Sequence, residues 1–167
     1  MNVSNGPITR YRKEVRIGLV VLAVPLAATG GWALLAPHSF FDHYPGAGVH
    51  WVLPLAPYNE HLVRDFGALY LAFGLLLGFA AVALDRLLVR ATLGASLVVA
   101  VPHFIYHAAN TEPLSTQNNV ANLVVLAGAI VLPALMLYMT APRAQEGGQS
   151  APRGEPTIEG GVTYGTR

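Results

Sequence analysis

Four predominantly apolar stretches limit what this chain of 167 residues can fold into. They occupy residues 17–36, 62–84, 87–110 and 120–141. A helix of about 20 apolar residues crosses the ~30 Å hydrocarbon core of a bilayer. Only 11% of the chain is charged, whereas soluble domains average about 25%. The sequence therefore predicts an all-α fold, a four-transmembrane-helix bundle whose first partner is the lipid bilayer.

The distribution of basic residues predicts the orientation of the bundle. In a four-helix topology, nine of the ten Lys and Arg residues fall on the side of both termini, and only Arg64 falls on the other. The positive-inside rule then places the basic N-terminus (1–16) and the tail (142–167) in the cytoplasm of a bacterial cell. The tail is rich in Gly, Pro and polar residues, which predicts disorder. The net charge of +1 gives no indication of nucleic acid binding.

The first apolar stretch has two interpretations. It follows a basic segment and contains small residues at Ala27 and Ala28, as a cleaved signal peptide would. The apolar run continues beyond them to residue 36, which favours a membrane anchor. Either interpretation leaves the topology of the later helices unchanged.

Residues 37–61 are predicted to form a long first outer loop. This segment contains four His, four Pro and several aromatic residues. Its Pro and Gly content is unfavourable for a spanning helix, and aromatic side chains suit the lipid–water interface. We expect it to fold over the outer mouth of the bundle.

Small residues recur at helical spacing in the first two spans. They predict faces on which another helix packs closely. The second span continues, through residues 85–86, into the third, and such a short connection predicts that these two helices are antiparallel neighbours. The predicted packing residues are Ala23, Ala27, Gly31, Gly67, Gly74 and Gly78.

The third span carries a polar stripe on an otherwise apolar helix. Its inner members, Thr92 and Ser96, can donate hydrogen bonds to their own helix. Its outer members, His103 and His107, are costly in a membrane without partners. The outer end is therefore the place where we expect function.

Several other polar residues are predicted to lie at the same membrane depth. Imidazole and carboxylate groups are ligands for zinc, copper or iron, and imidazoles also bind haem iron or donate hydrogen bonds to a quinone. The candidate metal ligands are His61, His103, His107, Asp65 and Glu60, and the candidate haem or quinone contacts are His61, His103, His107 and Tyr106. Alternatively, these polar groups only fix helix register, at ~0.6 kcal/mol each.

No nucleophile elbow, phosphate loop or dinucleotide fingerprint is present, so the sequence favours a protein that is not an enzyme. The alternative to a ligand site is a non-catalytic membrane partner subunit, scaffold or homo-oligomer that associates through its small-residue faces. A transporter is poorly supported, because internal repeats are not evident.

Three stretches carry a resemblance to known proteins: PHSFFDHYPGAGVHWV (37–52), PYNEHLVRDFGALYLAFG (57–74) and VPHFIYH (101–107). The chain resembles uncharacterised four-helix integral membrane proteins of actinobacteria, similar in layout to the DoxX-like superfamily. The resemblance covers about residues 17–140 and implies a four-helix membrane fold. Some members of that superfamily look like quinone-linked redox partners, but the resemblance assigns no catalytic residue.

Overall fold

The computed structural model describes residues 7–55, 57–112 and 114–142, and the predicted tail therefore lies almost wholly outside the described residues. Four of its helices have 24 residues each and are long and apolar enough to cross a membrane. This confirms the predicted all-α fold with four spans. The elements are α1 (Arg12–Leu35), α2 (Pro37–His43), β1 (Pro45–Gly46), β2 (Val49–His50), α3 (Glu60–Ala83), α4 (Arg86–Ala109) and α5 (Thr116–Met139).

Polar capping residues set where three of the long helices begin. The side chains of Asn59, Asp85 and Ser115 each accept a hydrogen bond from the backbone amide three residues later. Each cap satisfies one of the four amides that a helix N-terminus leaves unpaired. Consequently α5 begins at Thr116, before the apolar run does.

The four spanning helices form two pairs. α1 packs against α3 along its length and α4 packs against α5, whereas contact between the pairs is much less extensive. The second and third spans were expected to be packed neighbours, but α3 and α4 make little contact. The reason is that α1 occupies the face of α3 that carries Gly67 and Gly74.

A buried apolar cluster joins the two pairs at the end of the bundle that carries the N-terminus. The segment before α1 belongs to it, since the amide of Ile8 donates to the carbonyl oxygen of Leu84 over 2.9 Å. The close contact of the pairs is therefore concentrated at this end. The cluster includes Ile8, Val15, Leu19, Leu77, Leu84, Val89, Leu93 and Met136.

The connection from α1 to α3 contains regular structure. α2 follows α1 directly, and β1 pairs with β2 in a two-stranded antiparallel hairpin in the register Pro45–His50 and Gly46–Val49. Phe40 and Phe41 of α2 are buried, and α2 contacts both α1 and α3. The segment therefore caps the α1–α3 pair at the end away from the N-terminus.

Candidate functional site

The polar stripe of the third predicted span lies on α4 and divides into two parts. The hydroxyl of Thr92 donates to the carbonyl oxygens of Leu88 and Val89, both at 3.0 Å, and that of Ser96 donates to Thr92 over 2.9 Å. Both side chains are buried and satisfied by their own helix. This confirms the expectation for the inner part of the stripe, which needs no ligand.

The outer part of the stripe is an imidazole pair, His103 and His107. Their ring centroids lie 4.8 Å apart. His107 is only 7% exposed, and its Nδ1 is buried without a hydrogen-bond partner among the described residues. A buried polar atom without a partner costs ~1–3 kcal/mol, and such exceptions often have a functional explanation.

The surroundings of the imidazole pair differ on its two sides. The ring of Tyr106 stands perpendicular to that of His107 at 5.6 Å, and Tyr106 is 58% exposed. His103 is also exposed, although it lies in a spanning helix. Of the two rings, that of His107 is therefore buried and that of His103 lies at the helix surface.

The polar residues at the start of α3 form a separate group. Nε2 of His61 lies 3.4 Å from Oδ2 of Asp65, and both side chains are largely exposed. Arg64 binds Glu60, with Nη2 2.8 Å from Oε1. Arg64 also donates to the carbonyl oxygen of Leu34 in the last turn of α1. Arg64 thus links α3 to α1, and Glu60 holds its guanidinium from within α3. A cation is favourable at a helix C-terminus.

The structure does not bring these two groups together into one metal site. Within residues 7–55, 57–112 and 114–142, no group of three or more His, Asp or Glu side chains could hold a metal ion. The predicted five-residue set is split because α3 packs on α1 while α4 packs on α5. His61, Asp65 and Glu60 therefore do not lie beside His103 and His107, although all five were predicted at the same membrane depth.

The histidines of the first connection contact backbone and aromatic rings. Nδ1 of His43 lies 3.1 Å from the carbonyl oxygen of Ser39, and Nδ1 of His50 bonds the carbonyl oxygen of Asp42. His38 stacks against Tyr58 with ring centroids 4.1 Å apart. These contacts give the connection a fixed shape.

An aromatic cluster underlies this cap, and sequence reasoning did not predict its packing. Phe40 is at its centre, 5.9 Å from Trp32, 5.0 Å from Tyr44 and 5.8 Å from Phe66 between ring centroids. Edge-to-face and tilted aromatic pairs at such distances contribute ~0.5–1.5 kcal/mol each beyond their buried area. The aromatic content of residues 37–61 was the available signal.

Tyr58 lies at the edge of this cluster. Its hydroxyl is buried without a hydrogen-bond partner among the described residues, as is the indole nitrogen of Trp51. Desolvation, aided by the carboxylate of Glu60, raises the pKa of Tyr58 above its ordinary value of 10.0.

The predicted small-residue faces are used in part within the chain. A Cβ built on Gly67 would lie 2.9 Å from the carbonyl oxygen of Gly30, and one built on Gly74 would lie 2.6 Å from the amide nitrogen of Ala27. A Cβ on Gly31 or Gly78 would meet nothing within 4 Å. Ala23 is buried. The glycine of α1 that touches α3 is therefore Gly30, which sequence reasoning missed.

No family model, curated protein or solved structure matches this chain. Residues 58–65 (YNEHLVRD), the most specific part of the resemblance described above, have a structural role here. Asn59 caps α3, Arg64 bonds Leu34 of α1, and Glu60 bonds Arg64.

Proposed function

We propose that this chain is a multi-pass protein of the bacterial plasma membrane, related to the DoxX-like superfamily, with both termini in the cytoplasm. The four apolar helices support the membrane location. The excess of Lys and Arg on the side of the termini supports the orientation, since cytoplasmic loops carry such an excess.

We further propose that the outer end of α4 binds a small lipid-soluble ligand with a hydrogen-bonding oxygen, of the quinone class. The observation that carries this proposal is the buried imidazole of His107, which has no partner at Nδ1 among the described residues and lies 4.8 Å from the ring of His103, tilted by 56°. Ionisable residues within a membrane helix are costly and usually functional.

The position of His103 favours a ligand that arrives from the membrane. His103 lies six residues before the end of α4 at Ala109, about 9 Å at 1.5 Å per residue. It is thus near the interface, and its exposed ring faces lipid or headgroups. A quinone carbonyl there can accept a hydrogen bond from an imidazole N–H, and exposed Tyr106 supplies a second donor.

A metal ion held by protein ligands alone is less well supported than a quinone at this place. A structural zinc site has four protein ligands and a catalytic one has three, whereas the described residues provide two imidazoles and no group of three ligands.

The experiment is a titration of the purified, quinone-depleted protein with a short-chain quinone, followed by NMR of selectively labelled histidine side chains. The signals of His103 and His107 should shift. His107→Ala and His103→Ala should weaken binding about tenfold or more, as expected from the loss of a hydrogen bond in an apolar site. His61→Ala is the matched control, since His61 lies on α3 and is exposed.

Equal weakening by all three substitutions, or by none, would contradict the quinone proposal. Metal analysis of the same preparation addresses the other ligand class. A stoichiometric metal that is lost in His103→Ala would replace the quinone by a metal.

The alternative, a partner subunit or scaffold, has less support in the structure. The backbone of Gly67 and Gly74 packs on α1 of the same chain, so these two glycines are used within the fold, whereas Gly31 and Gly78 have no such neighbour.

A further inference from the structure

A groove follows the exposed side of the α1–α3 pair. It consists of two adjoining shallow depressions, open to the surroundings, of about 340 and 400 Å³, which share Gly78 and Val82 in their linings. Its floor is made of small residues that include Ala27 and Gly74, and the exposed side chain of Phe79 forms part of its wall. The groove is apolar over most of its length.

The length of the groove matches one leaflet of a bilayer. Along α1 it extends from Arg16 to Ala27, which is about 16 Å at 1.5 Å per residue. The hydrocarbon core of a bilayer is ~30 Å thick, so one leaflet contributes ~15 Å. An acyl chain that enters at Arg16 would thus lie in the groove for the full depth of its leaflet.

Arg16 gives the groove a cationic end. Its Nε donates to the carbonyl oxygen of Ala81 over 3.1 Å, which fixes the guanidinium against the last turn of α3. No carboxylate among the described residues forms an ion pair with it. A guanidinium has five N–H donors, so most of them remain for an anion. Arg12 and Lys13 lie one turn earlier on the same helix.

We propose that this groove binds an acidic glycerophospholipid of the leaflet on the side of the N-terminus. One acyl chain lies over Gly78 and Gly74, and the phosphate accepts hydrogen bonds from Arg16. Basic residues next to a membrane helix attract acidic lipids, and arginine binds phosphate in a bidentate manner. This inference does not depend on the proposed ligand at His103 and His107.

A second copy of the chain fits the groove less well. A two-fold axis normal to the membrane would place both Arg16 side chains at the same depth in one interface. Two unpaired guanidinium groups would then repel each other, and part of this repulsion would act in a low dielectric. A phosphate removes this problem because it has the opposite charge.

The experiment is native mass spectrometry of the protein from vesicles that contain equal amounts of phosphatidylglycerol and phosphatidylcholine with identical acyl chains. The protein should retain phosphatidylglycerol preferentially. Arg16→Gln should reduce that preference about tenfold. Arg90→Gln is the matched control, because Arg90 also donates to a backbone carbonyl, that of Leu137, but does not line the groove.

A second pair of variants tests the apolar part. Gly78→Leu fills the floor and should reduce retention of both lipids, whereas Gly31→Leu, equally free of neighbours, should not. A phosphatidylglycerol with a photoreactive acyl chain should crosslink the wild-type protein between residues 20–27 and 74–82, a measurement independent of any variant. Equal retention of the two lipids, crosslinks elsewhere, or a dimer that Gly78→Leu dissociates without effect on lipid would each overturn the proposal.

Discussion

Gly30 and Gly31 are neighbours in α1 but have different surroundings, so their substitution by alanine separates helix packing from helix propensity. A Cβ on Gly30 would lie 2.7 Å from the carbonyl oxygen of Gly67 and 2.8 Å from the carbonyl carbon of Tyr70. A Cβ on Gly31 would meet nothing within 4 Å. We expect Gly30→Ala to destabilise the protein and Gly31→Ala to leave it unchanged or slightly more stable.

The magnitude follows from two opposing terms. Ordinary van der Waals contacts of a Cβ are 3.4–4 Å long, so α1 and α3 would have to separate by several tenths of an ångström or more where they touch. Overpacking of this kind costs ~1–3 kcal/mol. Replacement of glycine by alanine within a helix gains up to ~1 kcal/mol. The gain is common to both variants, and the difference between them is therefore the packing cost alone, ~1–3 kcal/mol.

The assay is unfolding of the purified protein in mixed micelles by increasing sodium dodecyl sulfate, followed by tryptophan fluorescence. The chain has two tryptophans, and Trp32 lies on α1 beside the contact with α2. Circular dichroism before the titration shows whether helix content is retained. Equal midpoints for Gly30→Ala and Gly31→Ala would refute close α1–α3 packing at this glycine.

Three further predictions concern the α4–α5 connection, the contact between α1 and α3, and the topology. Asn119→Ala should lower the free energy of unfolding by ~1–2 kcal/mol, because its buried amide donates to two carbonyl oxygens of the α4–α5 connection. Asn118→Ala, which removes a side chain without such bonds, should not. Arg64→Ala should cost about 1 kcal/mol in the same assay through loss of its bond to Leu34, and no change would show that this contact does not stabilise the α1–α3 pair. A reporter fused after Arg167 should be active only in the cytoplasm, and periplasmic activity would contradict the proposed orientation.

Hydropathy was sufficient to find the four spans, because the bilayer requires a long apolar run whatever the rest of the fold does. It did not find the true start of α1, which extends back to Arg12. Arginine and lysine are good helix formers outside the membrane as well. An apolar run therefore marks the membrane-embedded part of a helix rather than its ends.

The packing face of α1 was predictable in principle. At about 100° per residue, Gly30 lies about 20° from Ala23 on a helical projection, on the side away from Ala27, whereas Gly31 lies about 40° beyond Ala27. Simple i, i+4 spacing selected Gly31, and the structure places Gly30 against α3. A helical projection places Gly30 on the same face as Ala23, a relation that i, i+4 spacing alone does not show.

The candidate site depends on which helices pack together, and a single sequence does not contain that information. Charge distribution predicted that His61 and His103 lie at similar depth, but depth leaves the neighbours of each helix open. The neighbours of a helix depend on which helix surfaces are complementary in shape, and α3 packs closely against α1 at its glycines. A ligand set that is spread over two helices can therefore be predicted only after the helix pairs are known.

The division into two pairs has a consequence for synthesis in the membrane. Each pair consists of spans that follow one another in the chain, so α1 and α3 can pack before α4 and α5 are made. The Arg64 bond to Leu34 and the contact of Gly30 with Gly67 also lie within this first hairpin. Ile8, however, bonds Leu84, the residue directly after α3, so its bond forms only after that helix is complete. The first half of the chain can thus be inserted and assembled as a unit, with its own N-terminal segment closing it.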